Sequence, residues 1–260
     1  MSRFGNLEFG SESEDESRQE QANTGAKDES FYAASAQSAF EQADFDAALR
    51  YFSKVLEFNP DNTNAWTGQV KSLIELGEFR EAKIWADKAL ERFPHEPELL
   101  AAKAVALARS GDLDGAIAFS DASFEEHGDT PYIWLARGDV LLARKEKRAD
   151  WCFDKALLLA PRDWFIAWLA ARIRYFYRQF ALALKLVQQA VAWNSGNSML
   201  WVLTGLCQKE LGLLAPARLS FEQALQLDPR CAPAREGMAQ LSDAGLGTHF
   251  RRWWYKIFHH

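Results

Sequence analysis

A motif of about 34 residues recurs along most of this 260-residue chain, and a repeat of this length restricts the fold more than any other feature. The clearest copy covers residues 201–229 and reads WVLTGLCQKELGLLAPARLSFEQALQLDP. Prolines follow the same interval, because Pro60, Pro94, Pro161 and Pro229 are one or about two repeat lengths apart. Proline cannot continue a helix interior, so prolines at such an interval indicate a series of helices of similar length.

Within each copy, the residue types predict two short antiparallel helices joined by a tight turn. Glycines such as Gly77 and Gly212 supply the backbone freedom that the turn requires. Small residues such as Ala217 let the two helices approach closely, and large apolar residues such as Phe221 fill the space beside them. The repeating unit is therefore a helical hairpin.

The pattern resembles the tetratricopeptide repeat family, whose unit is a 34-residue helix–turn–helix, and the resemblance covers about six units over residues 29–242. The positions that carry it in the second and fourth units are Trp66, Leu73, Gly77, Ala82, Ala86, Ala89 and Pro94, and Trp134, Gly138, Leu141, Ala149, Phe153, Ala156 and Pro161. In the fifth unit either Ala167 or Trp168 takes the tryptophan position. The resemblance implies an all-α fold, a right-handed α-solenoid of antiparallel helix hairpins, with a C-terminal capping helix over about residues 233–241.

The bulk composition excludes several classes of protein. A net charge of −6 and a pI near 5.5 argue against a protein that binds nucleic acid through its phosphates. The cysteines are three in number and widely spaced, so we predict buried packing residues and no disulfide framework. The sequence contains neither an apolar run long enough to span a membrane nor a secretory signal. We therefore expect a cytoplasmic protein.

A search for chemistry finds no catalytic residues, and the expected protein is not an enzyme. No histidine has a second histidine or a cysteine at metal-ligand spacing on a folded segment, so no metal site is predicted. No glycine-rich phosphate-binding loop occurs, and the acids fall on exposed helix faces. No cofactor is predicted.

The resemblance implies instead that the first helix of each hairpin lines an inner groove. Side chains one, five, eight and nine positions after the tryptophan are implied to face this groove, which assigns Lys71, Glu75 and Arg109 to it among others. The fifth unit has apolar residues on nearly every side of its first helix, which either its neighbours bury or a partner covers. The residues predicted to bind a partner are Leu135, Asp139, Leu142, Trp168, Arg172, Phe176, Val202, Leu206 and Lys209. Arg172, Arg174 and Arg178 lie beside aromatic residues, where an acidic peptide such as the N-terminal tail is one candidate ligand.

The two ends of the chain differ from the array over residues 30–242. Residues 1–29 are acidic and lack helical periodicity, which predicts a disordered tail. Residues 243–260 combine a glycine-containing hinge with a short amphipathic helix that has an apolar stripe and a basic face. That helix is formed by Phe250, Arg251, Arg252, Trp253, Trp254, Lys256, Ile257 and Phe258. Its apolar stripe has three possible occupants, namely its own array, a partner protein or a membrane surface.

Two functions follow from these features. The first is a non-enzymatic scaffold or adaptor that binds a peptide or helix of another protein in the groove. The alternative is a peripheral membrane-associated assembly factor that is anchored by the C-terminal helix. Because repeat arrays can stack end to end, homo-oligomerisation is a further possibility.

Overall fold

The computed structural model of the protein describes residues 28–241. Almost all of the acidic N-terminal tail, and all of the C-terminal segment predicted over 243–260, lie outside the described residues. The described part of the chain is all-helical, as the repeat pattern predicts. It divides into two compact units, one ending at Ala149 and the other beginning at Asp150, where the sequence pattern alone predicts a single array.

The helices follow one another with turns of a few residues between them. In the first unit they are α1 (Glu29–Glu41), α2 (Phe45–Phe58), α3 (Thr63–Glu75), α4 (Phe79–Arg92), α5 (Pro97–Arg109), α6 (Leu113–Glu125) and α7 (Pro131–Ala143). The second unit contains α8 (Ala149–Leu159), which starts at the boundary, α9 (Trp164–Phe176), α10 (Phe180–Trp193), α11 (Ser198–Glu210) and α12 (Leu214–Leu227). A last helix, α13, covers residues 232–241, close to the predicted capping helix.

Side-chain caps and prolines set the helix ends. Asp44, Asn62 and Asp112 each accept a hydrogen bond from a backbone N–H in the first turn of the helix that follows. Each of the four periodic prolines comes two residues after the end of a helix, for example Pro60 after α2 and Pro229 after α12. The helix ends predicted from the proline spacing are therefore confirmed.

Within each unit, a first helix packs on its own second helix and on the next first helix along the chain. In the fifth repeat the N-cap is Asp163, which gives Ala167 the position that Trp66 and Trp201 hold relative to their own N-caps, Asn62 and Asn197. The register left open by the sequence is thus resolved in favour of Ala167.

Close contacts between helices depend on glycine at particular positions. The ring of Phe221 is fully buried, and a Cβ atom added at Gly205 of α11 would lie 2.7 Å from it. On its other side, a Cβ atom at Gly237 of α13 would lie 2.5 Å from the same ring. One phenylalanine of α12 therefore fits between two helices that approach it without side chains at the contact.

The cysteines are buried, whereas the tryptophans of the described residues differ in exposure. Cys152, Cys207 and Cys231 are buried, as predicted. Trp66, Trp85 and Trp168 are buried, and Trp134, Trp164 and Trp201 are half-buried. Trp151 and Trp193 are exposed by 60% and 40%. They lie on second helices of the second unit, where the periodicity of the repeat does not require a buried side chain.

The contact at Phe221 generates a stability prediction. Gly205→Ala should lower the free energy of unfolding by about 1–3 kcal/mol, because the added methyl group overlaps the Phe221 ring. In Gly196→Ala the nearest atom lies 3.6 Å away, so this control should leave stability nearly unchanged. Urea unfolding followed by circular dichroism measures both, and equal midpoints for Gly205→Ala and wild type would contradict the packing described.

Candidate functional site

The residues one position after the tryptophan position are buried in every repeat from the second to the sixth. They are Thr67, Ala101, Leu135, Trp168 and Val202. Val202 shows why, because it shares a core cluster with Ala234 and Leu241 of the adjacent helix α13. Side chains at this position enter the contacts between neighbouring helices. Leu135, Trp168 and Val202, three of the residues predicted to bind a partner, are therefore not accessible to one in this conformation.

Asp139, a fourth predicted contact, has an internal partner. Its carboxylate is fully buried and accepts hydrogen bonds from Nε and Nη2 of Arg109 at 3.0 and 2.7 Å. The pair joins α5 to α7 on the first-helix side of the first unit. Asp139 thus belongs to the scaffold of the inner face rather than to its open surface.

A second ion pair lies on the same side and surrounds a tyrosine. Lys71 of α3 donates to Glu98 of α5 at 2.6 Å, and its Nζ lies 3.6 Å from the centroid of the Tyr132 ring. Thr130 also donates to Glu98, at 2.8 Å. We call Lys71, Glu75, Glu98, Arg109, Tyr132 and Asp139 the Tyr132 cluster.

The pKa values within the Tyr132 cluster follow from burial and charge. Burial raises the pKa of Tyr132 well above 10.0, and the carboxylates of Glu98, Glu75 and Asp139 raise it further, against the opposing charge of Arg109. Burial also raises the pKa of Glu98, but the Lys71 charge and the hydrogen bonds from Lys71 and Thr130 outweigh that effect. The pKa of Glu98 is therefore lowered. At neutral pH the phenol is neutral and Glu98 is charged.

The inner side of the second unit has a different character. Phe176 at the end of α9 is 44% exposed, and its ring centroid lies 5.0 Å from that of Tyr177. Arg172, one turn earlier, is half-buried with its guanidinium 5.0 Å from the centroid of the Trp168 ring. On α11, Leu206 and Lys209 are also half-buried. We call Arg172, Phe176, Leu206 and Lys209 the α9–α11 surface.

Two neighbours of the α9–α11 surface have raised pKa values. Burial, followed by the charges of Glu210 and Cys207, raises the pKa of Tyr175 to about 12. Burial raises the pKa of the Cys207 thiol to about 12 as well, which keeps it protonated and unreactive at neutral pH. The charges of Glu210 and Cys207 on α11 thus act on Tyr175 of α9.

The three arginines of the fifth repeat have different environments. Arg174 is buried and donates to Asp150 at 2.7 Å and to Gln179 at 2.6 Å, with its guanidinium 4.3 Å from the Phe153 ring centroid. Its guanidinium is therefore held inside the second unit and is not available to bind a peptide. Arg172 is half-buried and Arg178 is exposed.

Of the predicted partner-binding residues, five remain at the surface. Leu142 of α7 is half-buried in the first unit. Arg172 and Phe176 lie on α9 of the second unit, and Leu206 and Lys209 lie on α11, the next first helix. Sequence reasoning missed Tyr132 and Tyr175, because their raised pKa values depend on burial and on charges brought close by the fold, and no motif marks them.

The described residues show little that supports chemistry. No group of three His, Cys, Asp or Glu residues in 28–241 is arranged to hold a metal ion. An open depression of about 460 Å³ near the α5–α6 turn is lined by Gly111, Asp112, Leu113, Asp114 and Arg144. It lies apart from the inner-face residues described above. Among the described helices, none has the length and apolarity needed to cross a bilayer.

Comparison with known proteins identifies the repeats. Family models described as tetratricopeptide repeat match residues 39–104 and 200–231. The BBSome complex member BBS4 of Bos taurus is 24% identical over 74% of this chain, and that of Mus musculus is 26% identical over the same share. The chain spans only 37% of the length of these relatives.

Solved structures show the same fold. A tetratricopeptide repeat protein from Parabacteroides merdae superposes with a TM-score of 0.54 at 18% identity, over 86% of this chain and 88% of that one. The human IFIT1 dimer with m7Gppp-AAAA gives a TM-score of 0.52, also at 18% identity, over 88% of this chain and 58% of that one. Identities this low show the architecture alone.

The buried pair between Arg109 and Asp139 leads to a test by double substitution. Asp139→Ala should lower the free energy of unfolding by about 3–5 kcal/mol, because it leaves the Arg109 charge buried without its carboxylate. Arg109→Met combined with Asp139→Leu should recover most of that loss. The partly exposed pair of Arg137 and Asp121 provides the control, since Asp121→Ala should cost under about 1 kcal/mol. A small effect of Asp139→Ala in urea unfolding would refute the burial argument.

The lowered pKa of Glu98 predicts a dependence of stability on pH. Because the folded-state pKa lies below the ordinary value of 4.5, Glu98 stabilises the fold above that pH. The contribution is lost as the pH falls through the folded-state pKa. Glu98→Gln should therefore destabilise the protein at neutral pH and flatten its loss of stability in acid. Unfolding midpoints measured across this pH range test the prediction, with Glu57→Gln from an exposed ion pair as control. If Glu98 does not contribute in this way, the curves of midpoint against pH for Glu98→Gln and wild type will be parallel.

Proposed function

Because the chain carries tetratricopeptide repeats, we propose that it is a non-enzymatic scaffold that holds a segment of a partner protein against its first helices. The surface proposed for the contact is the α9–α11 surface in the second unit. The curated relatives are described as members of a complex, which supports a role in protein assembly. The match covers only 37% of the length of these relatives, so their partners are not assigned to this chain.

The distribution of internal ion pairs favours the second unit over the first. On the inner side of the first unit, Lys71, Glu98, Arg109 and Asp139 neutralise one another across three first helices. Charges satisfied in this way hold the helices in register and add little attraction for a ligand. On the α9–α11 surface the Phe176 ring is exposed and the Lys209 side chain is 22% exposed, although Lys209 also lies 3.5 Å from Glu210 and donates to Gln240.

The chemistry of the α9–α11 surface defines the partner segment. Phe176 and Leu206 offer apolar area for a large apolar side chain, and exposed aromatic residues are frequent energetic centres of interfaces. Arg172 and Lys209 favour carboxylates beside that side chain, and Arg178 adds a third cation at the end of α9. We therefore assign to this surface a short peptide or helix with an apolar anchor and flanking acidic residues.

The exposed ring of Phe176 is the observation that carries the proposal. It lies at the C-terminal end of a first helix whose Trp168 is buried. Burial of an exposed phenylalanine in a complex stabilises it by about 1.5–3 kcal/mol.

Substitution of Phe176 tests the proposal. Affinity purification from the native host identifies the partner, and calorimetry with the purified partner then measures the dissociation constant. Phe176→Ala should weaken binding about 10-fold to 100-fold, with unchanged helicity. Phe58→Ala removes a ring that is 56% exposed on second helix α2, and it should leave the affinity unchanged.

The charge component has a separate signature. Arg172→Glu with Lys209→Glu should slow association and reduce its dependence on salt. If neither Phe176→Ala nor the charge reversal alters the affinity while helicity is preserved, the partner binds elsewhere and the α9–α11 surface is rejected.

A further inference from the structure

The turn between α11 and α12 exposes three leucines. Leu211, Leu213 and Leu214 are exposed by 39%, 45% and 38%. Leu213 occupies the N-cap position of α12 and provides no side-chain cap, whereas Asp44 and Asp112 cap the corresponding helices α2 and α6. A polar residue is favoured at both the cap and the exposed turn. Leu213 is therefore an unfavourable residue for a helix N-cap, and leucine is also unfavourable in an exposed turn.

The described chain ends beside this turn. Lys209 Nζ, in the last turn of α11, donates to Oε1 of Gln240 in the last turn of α13 at 2.6 Å. Leu241 lies in the same core cluster as Ala217, in the first turns of α12. The residues after 241 therefore leave the fold next to the α11–α12 turn.

The segment that follows has the length and residue pattern to return to the leucines. Residues 242–249 are eight residues, which span up to about 26–29 Å when extended. Beyond them, Phe250, Trp253, Trp254, Ile257 and Phe258 are spaced as one stripe of a helix. A helix this short is marginally stable alone and needs a surface to pack against.

We propose that the C-terminal segment 248–260 docks its apolar stripe on Leu211, Leu213 and Leu214 of its own chain. The turn leucines then form an intramolecular docking site that covers the open end of the second unit. The basic residues of the segment, Arg251, Arg252 and Lys256, face outward or towards Glu210, which is exposed next to the turn. This docking does not depend on the α9–α11 surface binding a partner.

The end of α13 lies near the turn leucines, and this short distance favours the intramolecular site. A segment tethered by about eight residues has an effective concentration in the millimolar range at a nearby site. A second copy at micromolar concentration, or a vesicle, competes against that tether. The short linker thus favours the chain's own leucines over either.

Limited trypsin digestion of the full chain tests the docking. Cleavage after Arg251, Arg252 and Lys256, followed by intact-mass spectrometry, should be about tenfold faster in Leu211→Ser/Leu213→Ser/Leu214→Ser than in wild type, because proteolysis follows the open population. Leu158→Ser changes a leucine that is 74% exposed on α8 and should leave the rate unchanged. Circular dichroism checks that the serine variants keep their helicity.

A reciprocal measurement protects the test against a folding defect. Trp253→Ser/Trp254→Ser alters only the segment, and it should speed amide hydrogen exchange in the first turn of α12 while exchange in α9 is unchanged. Equal cleavage rates in wild type and the leucine variant, with unchanged exchange in the tryptophan variant, would reject the docking site.

Two other results would assign the stripe elsewhere. Protection that increases with protein concentration, together with a dimer by light scattering, would mean that a second copy is the occupant. Protection that requires added phosphatidylserine-containing vesicles would mean that the apolar stripe binds a lipid surface. Either result overturns the intramolecular site.

Discussion

Close approach of neighbouring helices is the constraint on which the rest of the structure depends. Each second helix places an alanine at one equivalent position, and all of these alanines are buried: Ala48, Ala82, Ala116, Ala149, Ala183 and Ala217. Phe221 between Gly205 and Gly237 extends the same principle, with a large ring seated where two helices lack side chains. Because the helices pack this closely, residues of one first helix reach charges of the next, as Lys71 reaches Glu98.

That constraint explains which parts of the fold could be predicted from the sequence. Small residues, turn glycines and helix-ending prolines act locally and repeat, so the hairpins, the register around Trp66 and Trp201 and the last helix were all predictable. The family resemblance also implied which positions of each first helix face the groove. It did not distinguish a side chain that enters the contact between helices, such as Leu135 or Val202, from one that stays at the surface.

Ion pairs between side chains of different repeats could not be predicted from the sequence either. Asp139 was expected to meet a partner, and its carboxylate instead meets Arg109, 30 residues earlier. Arg174 was a candidate peptide receiver and is held by Asp150 and Gln179. Both choices depend on the spacing and rotation of adjacent helices, which no single repeat encodes. The surviving surface residues, above all Phe176, keep part of the side chain exposed in the folded chain.

The backbone of the turns has a consequence for how the array opens. At equivalent turn positions the chain has Gly77, Gly111 and Gly212 with positive φ, but Ala43, Lys145 and Arg178 adopt the same left-handed conformation at φ 58°, 59° and 60°. A non-glycine residue there costs roughly 1 kcal/mol, so these three hairpins are expected to open locally before those with glycine. Arg178 joins α9 to α10, and α9 carries Phe176. A ligand held by α9 therefore also holds this turn closed, and its affinity includes the free energy of keeping one hairpin shut while the remaining repeats stay folded.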